Sequence, residues 1–200
     1  TAFRYDANGN VTQETDALGF ATIFEYDALD RLVKEIDALG GETSTVYDEV
    51  GNVLSLSNAR SAVTEFEYDV LDRRVLERDA LAGEWLTGYD ANGNVTSVTD
   101  ANGNVTSYQY DAANRLVQEV DGEGHAVLFG YDVQGRLQTL THGEGLDART
   151  ATFAYGADGL LASTSDALAQ STDYAHDLAV RTTRQVYPDG KDVLFGYDPN

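Results

Sequence analysis

Oxygen-bearing side chains recur at short intervals along this 200-residue chain and are its first candidates for chemistry. Residues 90–94 and 100–104 each carry Asp or Asn on alternate positions around a glycine. The candidate calcium ligands are Asp90, Asn92, Asn94, Asp100, Asn102 and Asn104. An EF-hand calcium loop also requires a bidentate Glu at its twelfth position and flanking helices. That position holds alanine or aspartate here, so the pattern favours plain turns and leaves only weak cation binding open.

Carboxylates that could act as a general acid and base are also repeated. Aspartates recur on a 21-residue period at Asp16, Asp37, Asp79, Asp100 and Asp121, with Asn58 and His142 in the same column. A catalytic pair is singular and has an environment that its neighbours do not share, so this repetition favours turns and solubility. His125, His142 and His176 are too dispersed for a metal site. We therefore predict no enzyme, no catalytic, cofactor-binding or metal-binding residue, and no cofactor.

Tyr-Asp pairs form the most regular pattern in the chain. They recur every 21 residues at Tyr5-Asp6, Tyr26-Asp27, Tyr47-Asp48, Tyr68-Asp69, Tyr89-Asp90, Tyr110-Asp111 and Tyr131-Asp132. Tyr155 and Tyr174 then keep the tyrosine without the aspartate, and Tyr197-Asp198 restores both. A fixed period of this size indicates one supersecondary unit copied in tandem. We predict one array over residues 1–200, regular to about 151 and irregular over 152–200, and expect it to be a stretch of a longer array.

Each copy contains two turn signals separated by short segments rich in Val, Thr, Leu and aromatic residues. The copy at residues 5–25 has Asp-Ala-Asn-Gly after its tyrosine and Asp-Ala-Leu-Gly ten residues later. Asp opens such turns by accepting backbone hydrogen bonds, and Gly or Asn supplies a positive φ. Thr22, Phe24 and Tyr26 fall on alternate positions and would share one face of a strand. The sequence therefore predicts one antiparallel β-hairpin per repeat.

The predicted fold class is all-β, with tandem antiparallel hairpins forming a long spiralling sheet that is part of a hollow shell. Open twisted sheets rarely exceed ~10 strands without curling, and nine hairpins would give about 18 strands. A parallel β-helix or solenoid is the alternative.

Two further positions vary within the pattern. Trp85 replaces a stripe threonine, as a packing residue or a cargo contact. Arg31, Arg73, Arg115 and Arg136 share the position of Asn10, Asn52 and Asn94 just after the first turn. They are expected to pair with neighbouring carboxylates across the hairpin ladder.

The net charge of −21, from 34 acidic and 13 basic residues, argues against nucleic acid or anionic lipid as a partner. The hydrophobic fraction of 42% argues against intrinsic disorder. There is no cysteine and no apolar run of the length that spans a membrane, so neither disulfides nor membrane insertion is expected of this segment.

The unit Y-D-x-x-G-[NR]-[VL], followed by D-x-x-G and T-x-[FY]-x-Y-D, resembles the YD repeat of Rhs proteins, toxin-complex C components and teneurins. Residues 186–190 and 195–198 also resemble the Y-P-D-G form of bacterial Rhs repeats. The resemblance implies a hairpin shell of a secreted or surface-exposed bacterial polymorphic toxin used in competition, which encapsulates a C-terminal toxic domain until delivery. The implied partners are that toxin domain, neighbouring repeats and a secretion or toxin-delivery component. The alternative is a cell-surface adhesion or carbohydrate-binding repeat protein.

Overall fold

A computed structural model describes residues 1–143, 145 and 148–198, and positions 144, 146–147 and 199–200 of the predicted array lie outside these described residues. The described residues form nineteen β-strands and no α-helix. The strands are β1 (Ala2–Tyr5), β2 (Val11–Thr15), β3 (Ala21–Tyr26), β4 (Leu32–Ile36), β5 (Glu42–Tyr47), β6 (Val53–Ser57), β7 (Val63–Tyr68), β8 (Arg74–Arg78), β9 (Glu84–Tyr89), β10 (Val95–Thr99), β11 (Val105–Tyr110), β12 (Leu116–Val120), β13 (Ala126–Tyr131), β14 (Leu137–His142), β15 (Arg149–Tyr155), β16 (Leu161–Ser165), β17 (Ser171–His176), β18 (Thr182–Val186) and β19 (Asp192–Leu194). Within the same ranges no helix has the length and apolarity needed to cross a bilayer.

The strands fall into two compact units. The first contains Thr1–Tyr89 with Ser97–Val105, and the second contains Asp90–Thr96 with Thr106–Asn200. In the first unit β1 to β9 pair in chain order, each strand antiparallel to the next. In the second unit β11 to β19 do the same. The predicted all-β fold of tandem antiparallel hairpins is therefore confirmed, and the parallel β-helix is excluded. The spiral winding of the sheet remains a prediction.

Both turns of a repeat share one backbone geometry. In the second turn of the first repeat, the Gly19 N–H donates to the Asp16 carbonyl at 3.2 Å, and the Asp16 N–H donates to the Phe20 carbonyl at 2.9 Å. Gly19 has a φ of 90°, so the loop is a type I turn followed by a residue of positive φ. The fourth position of the turn has a positive φ at Gly9, Gly19, Asp30, Gly40, Gly51, Ser61, Asp72, Ala82, Gly93, Gly103, Asn114, Gly124, Gly135, Gly159, Ala169, Val180 and Gly190.

Val180 is the one β-branched residue in that set, with a φ of 67°. The left-handed conformation costs a residue with a side chain about 1–2 kcal/mol. Glycine avoids this cost, but it loses more conformational entropy on folding, so only part of the cost is recovered by the substitution. We expect Val180→Gly to raise the free energy of unfolding by about 0.5–1 kcal/mol in urea titrations. The matched control is Gly159→Val at the same turn position, which should lower it by about 1–3 kcal/mol. A lower midpoint for Val180→Gly would contradict the turn assignment.

One face of each hairpin carries the predicted Thr/aromatic/Tyr stripe. In β3, Thr22, Phe24 and Tyr26 are half-buried, whereas Ile23 and Glu25 between them are exposed. Leu76 and Ala126 are the only buried hydrophobic residues in the described part of the chain. The accessible surface of 13,409 Å² compares with roughly 9,200 Å² for a compact monomer of this mass. In the part of the chain that the structure describes, the strands are therefore held mainly by ladders and turns, and few side chains are buried.

Candidate functional site: the junction between repeats

The repeat tyrosine of most copies joins its hairpin to the one before it. Tyr26 ends β3 and pairs with Leu32 of β4 after the register shifts at a bulge between Glu25 and Tyr26. Its hydroxyl donates to the carbonyl of Val11, the first residue of β2 in the preceding hairpin, at 3.0 Å. The same bond, at 2.8 to 3.1 Å, joins Tyr47 to Leu32, Tyr68 to Val53, Tyr89 to Arg74, Tyr131 to Leu116, Tyr155 to Leu137 and Tyr197 to Thr182.

A histidine takes the tyrosine position in one copy. His176 ends β17, lies midway between Tyr155 and Tyr197, and places Nε2 2.8 Å from the Leu161 carbonyl oxygen. Tyr174, which the sequence suggested for this column, lies two residues earlier, in the stripe position that Phe24 occupies in β3. The structure thus differs from the irregular spacing expected over 152–200. Tyr155 follows Tyr131 by 24 residues instead of 21, and the 21-residue spacing then resumes.

The repeat aspartate shapes the first turn of each copy, which we number from position one at this aspartate to position five. Asp6 Oδ1 accepts the backbone N–H groups of Asn8 and Asn10, each at 2.9 Å, and Oδ2 accepts the Asn10 side-chain amide at 3.0 Å. Both carboxylate oxygens are therefore used within the turn. The same pattern occurs at Asp27, Asp48, Asp69, Asp90, Asp111, Asp132 and Asp177.

The fifth position of the first turn links the aspartate to the next tyrosine. Arg31 Nε donates to Asp27 Oδ2 at 2.7 Å, and its guanidinium carbon lies 4.6 Å from the centre of the Tyr47 ring. Equivalent stacks at 4.4 to 4.6 Å join Arg73 to Tyr89, Arg115 to Tyr131, Arg136 to Tyr155 and Arg181 to Tyr197. Each arginine thus pairs with the carboxylate of its own turn, and the predicted pairing across the hairpin ladder is wrong. The stacking on the next tyrosine was not predicted, although a spacing of 16 residues from arginine to tyrosine, which only Arg136 and Tyr155 depart from among these stacks, was visible in the sequence.

These contacts lower the pKa of aspartates in the first turn. The pKa of Asp111 lies below its usual value of 3.8, first because of the side-chain hydrogen bond from Arg115 and then because of the Arg115 backbone N–H. The pKa of Asp6 is lowered in the same way by Asn10. A carboxylate with a lowered pKa stabilises the fold above about pH 3.8 and loses that contribution as the pH falls through the lowered pKa.

The Asp111 pair gives a direct test by carboxyl NMR titration. We expect Arg115→Ala to raise the pKa of Asp111 toward 3.8 because the strongest hydrogen bond to its charged form is removed. The pKa of Asp6, whose partner is the neutral Asn10, serves as the internal control and should not change. An unchanged Asp111 titration in the variant would contradict the pairing.

The calcium interpretation does not gain from the geometry. Asp100 Oδ1 accepts the N–H groups of Asn102 and Asn104 at 2.8 and 2.9 Å, and Oδ2 accepts the Asn104 amide at 2.8 Å. Oxygens that accept three N–H donors within one turn are not arranged around a common centre. Across the described ranges, no group of three or more His, Cys, Asp or Glu residues could hold a metal ion. Trp85 pairs with Glu77 on the stripe face and is about one-third exposed.

The repeats themselves decide the family. A family model described as RHS repeat matches residues 5–42, 47–84 and 89–126, which is more than half of the chain. The chain belongs to the RHS repeat family. Each matched segment of this RHS repeat array begins at a repeat tyrosine and covers two hairpin copies. In the six copies from Tyr5 to Arg115, the tyrosine, the turn aspartate and the fifth turn position all lie within these matches.

Solved structures resemble this RHS repeat array more loosely. A Photorhabdus luminescens Tc holotoxin pore is 14% identical over 92% of this chain and 15% of that chain, with a TM-score of 0.40. A TcdB2–TccC3 complex is 12% identical over 96% and 17%, with a TM-score of 0.37. This chain thus spans about one sixth of the chains it matches, 15% and 17% in these two cases. No curated protein matches it. The family assignment therefore rests on the repeat match.

Proposed function

We propose that this array is part of the wall of a secreted bacterial Rhs-type toxin and encloses a C-terminal toxic domain until delivery. Membership of the RHS repeat family supports the proposal. The activity and partners of the whole protein are proposed with it, because this chain spans only about one sixth, 15–17%, of the solved chains it matches.

The observation that carries the proposal is a sheet whose hairpins are joined by repeated tyrosine hydrogen bonds and in which few of the described residues are buried. Hairpin after hairpin is fixed to its neighbour by the same tyrosine bond, whereas only Leu76 and Ala126 are buried among the described residues. A binding or catalytic domain normally surrounds one pocket with a packed interior. A regular sheet with both faces accessible is instead suited to separate two compartments, as a wall does.

The polar and apolar distribution fits a wall that need not be dry. The stripe face carries Phe24 and Phe66, both half-buried, opposite Glu35 and Glu77. In the proposed shell this face would line the cavity, because aromatic side chains gain most from cover. The net charge of −21 would keep a large secreted assembly soluble and discourage edge-to-edge pairing with other chains. The repeated aspartates accept hydrogen bonds within their own turns in one copy after another, which supports the structural, non-enzymatic role that we propose for this segment.

Limited proteolysis of the full-length protein, followed by mass spectrometry, tests the proposal. A protease-resistant array that retains a C-terminal fragment without a covalent link is expected. The test variant combines Tyr131→Ala with Tyr155→Ala and so removes two of the tyrosine hydrogen bonds between hairpins. The control variant is Leu178→Ala, at a fully exposed turn tip. The double tyrosine variant should expose the C-terminal fragment to protease, and the Leu178→Ala variant should not. Rapid loss of the C-terminal region from the unaltered protein, with the repeats intact, would contradict the shell and favour an exposed adhesin.

A further inference from the structure

Two positions of the first turn vary together from one repeat to the next. The fourth position has a positive φ, and the fifth carries Asn or Arg in most copies. The fifth residue of one repeat reaches the fourth residue of the following repeat. The variation is therefore a property of a pair of neighbouring repeats, and it is independent of the proposed function.

Where the fifth residue is asparagine, the next repeat supplies an oxygen. Asn52 donates one amide N–H to its own Asp48 Oδ2 at 2.9 Å and the other to Asp72 Oδ1 of the next repeat at 3.0 Å. Asn10 and Asp30 make the same cross-repeat bond at 2.7 Å. The acceptors Asp30 and Asp72 have φ values of 60° and 59°, a conformation that Asp and Asn tolerate.

The third asparagine junction lies in the second unit and uses an amide as acceptor. Asn94 and Asn92 each donate to Asn114 Oδ1 at 2.9 Å. Asn114 again has a φ of 59°. An oxygen on a short side chain at the fourth position is thus the shared feature of the asparagine junctions, whether it belongs to a carboxylate or to an amide.

Where the fifth residue is arginine, the next repeat supplies a glycine. Arg31 Nη1 donates to the Asp48 carbonyl at 3.0 Å while its guanidinium covers the Tyr47 ring. A Cβ on Gly51 would lie 4.0 Å from that Nη1, and the corresponding separations are 3.5 Å at Gly135 and 3.9 Å at Gly159. These glycines therefore lie directly beside the stacked guanidinium, at the van der Waals distance of an added methyl group. Gly51 also has a φ of 105°, well outside the range of the Asp and Asn residues at this position.

In the sequence, the correspondence holds wherever Asn or Arg stands at the fifth position and the fourth position of the next repeat lies within the 200 residues. The asparagine junctions are Asn10 to Asp30, Asn52 to Asp72 and Asn94 to Asn114. The arginine junctions that lie within one unit are Arg31 to Gly51, Arg115 to Gly135 and Arg136 to Gly159, and in the sequence Arg73 likewise precedes Gly93. Leu160 precedes Val180, so that junction has neither type.

We infer that the fifth position of one repeat and the fourth position of the next form a pairing code that specifies which repeat can follow which. Asparagine requires an oxygen-bearing residue, and arginine requires glycine. Through the first six copies the two types alternate, which makes the structural unit two hairpins, or 42 residues. The three family matches begin at residues 5, 47 and 89, which are also 42 apart.

The seventh copy separates the code from simple alternation. Arg136 follows Arg115, so the alternation of Asn and Arg stops there. The fourth residue of that copy is nevertheless Gly135, as its arginine predecessor requires, although every earlier copy with a fifth-position arginine has Asp or Asn at its fourth position. The identity of the fourth residue therefore follows the preceding repeat and not its own.

Such a code would keep nearly identical hairpins in order. Sheet pairing is weakly specified when neighbouring strands resemble one another, and slippage is the usual consequence. In the first six copies, displacement by one repeat would place arginine against Asp or Asn and asparagine against glycine. Displacement by two repeats would restore every match, so single-repeat errors are the ones that the code opposes.

A double-mutant cycle on Asn52 and Asp72 tests the inference by equilibrium unfolding. The variants are Asn52→Arg, Asp72→Gly and the two together, which converts an asparagine junction into an arginine junction above Tyr68. Each variant's equilibrium constant for folding is divided by that of the unaltered chain. The ratio for the double variant should be about fivefold larger than the product of the ratios for the two single variants. A ratio within a factor of two of unity would overturn the code.

Two deletions test the code if a single variant does not fold. Removing residues 111–131 would place Asn94 before Gly135, which the code forbids, and removing residues 132–155 would place Arg115 before Gly159, which it allows. Each deletion removes one repeat, and the allowed one should unfold at the higher urea concentration. Equal midpoints, or the reverse order, would overturn the code.

Discussion

Replacing Tyr131 with alanine is expected to lower the free energy of unfolding by about 2–3 kcal/mol. The variant loses the hydroxyl bond to the Leu116 carbonyl at 2.8 Å, the stack on Arg115 at 4.6 Å and the half-buried ring itself. Tyr131→Phe isolates the hydroxyl and should cost about 1 kcal/mol, because a hydrogen bond contributes that much net in a partly solvated site. Urea unfolding of the three proteins measures both effects.

Leu178→Ala is the control for the tyrosine series because Leu178 is fully exposed at a turn tip. Its unfolding midpoint should match that of the unaltered chain to within about 0.5 kcal/mol. The stabilising role of the Tyr131 hydrogen bond and ring would be refuted if Tyr131→Phe were as stable as the unaltered chain and Tyr131→Ala no less stable than Leu178→Ala.

Leu76→Ala is expected to cost about 2–3 kcal/mol, the second large effect. Leu76 is 8% exposed and lies opposite Leu86 of β9 in the antiparallel ladder. It is one of two buried hydrophobic side chains among the described residues, so its truncation removes much of the apolar burial in its part of the sheet. Measuring the unfolding midpoint in urea checks the prediction.

Leu86→Ala is the matched comparison for Leu76, since the two residues pair across the same strands and Leu86 is 42% exposed. We expect it to cost less than about 1 kcal/mol. Equal losses for the two leucines would show that Leu76 does not occupy a distinct buried position, and the account of the sheet's packing would then be wrong.

The hairpins could be predicted from sequence because their information is local. The turn at Asp16 is encoded in five consecutive residues, and its aspartate oxygen and its glycine φ need no distant partner. Alternation of Thr22, Phe24 and Tyr26 likewise specifies one face without knowledge of what covers it. The fold class and the stripe therefore followed from the repeat alone.

The junction contacts were less accessible because they join residues of different copies. The stack of Arg31 on Tyr47 and the bond from Asn52 to Asp72 become visible only when neighbouring hairpins are placed side by side. His176 was missed for a chemical reason: its imidazole reaches the Leu161 carbonyl as a phenol would, but a search for tyrosine does not find it. Equivalence in the structure is set by the contact and not by the residue type.

Cryo-electron microscopy of the full-length protein would test the central claim, that these repeats form an enclosing wall, most directly. The account predicts that residues 1–200 appear as one part of a closed shell, with the face of Phe24 and Phe66 turned toward density for the C-terminal domain inside. An extended sheet with both faces in solvent, and the C-terminal domain outside it, would contradict the account.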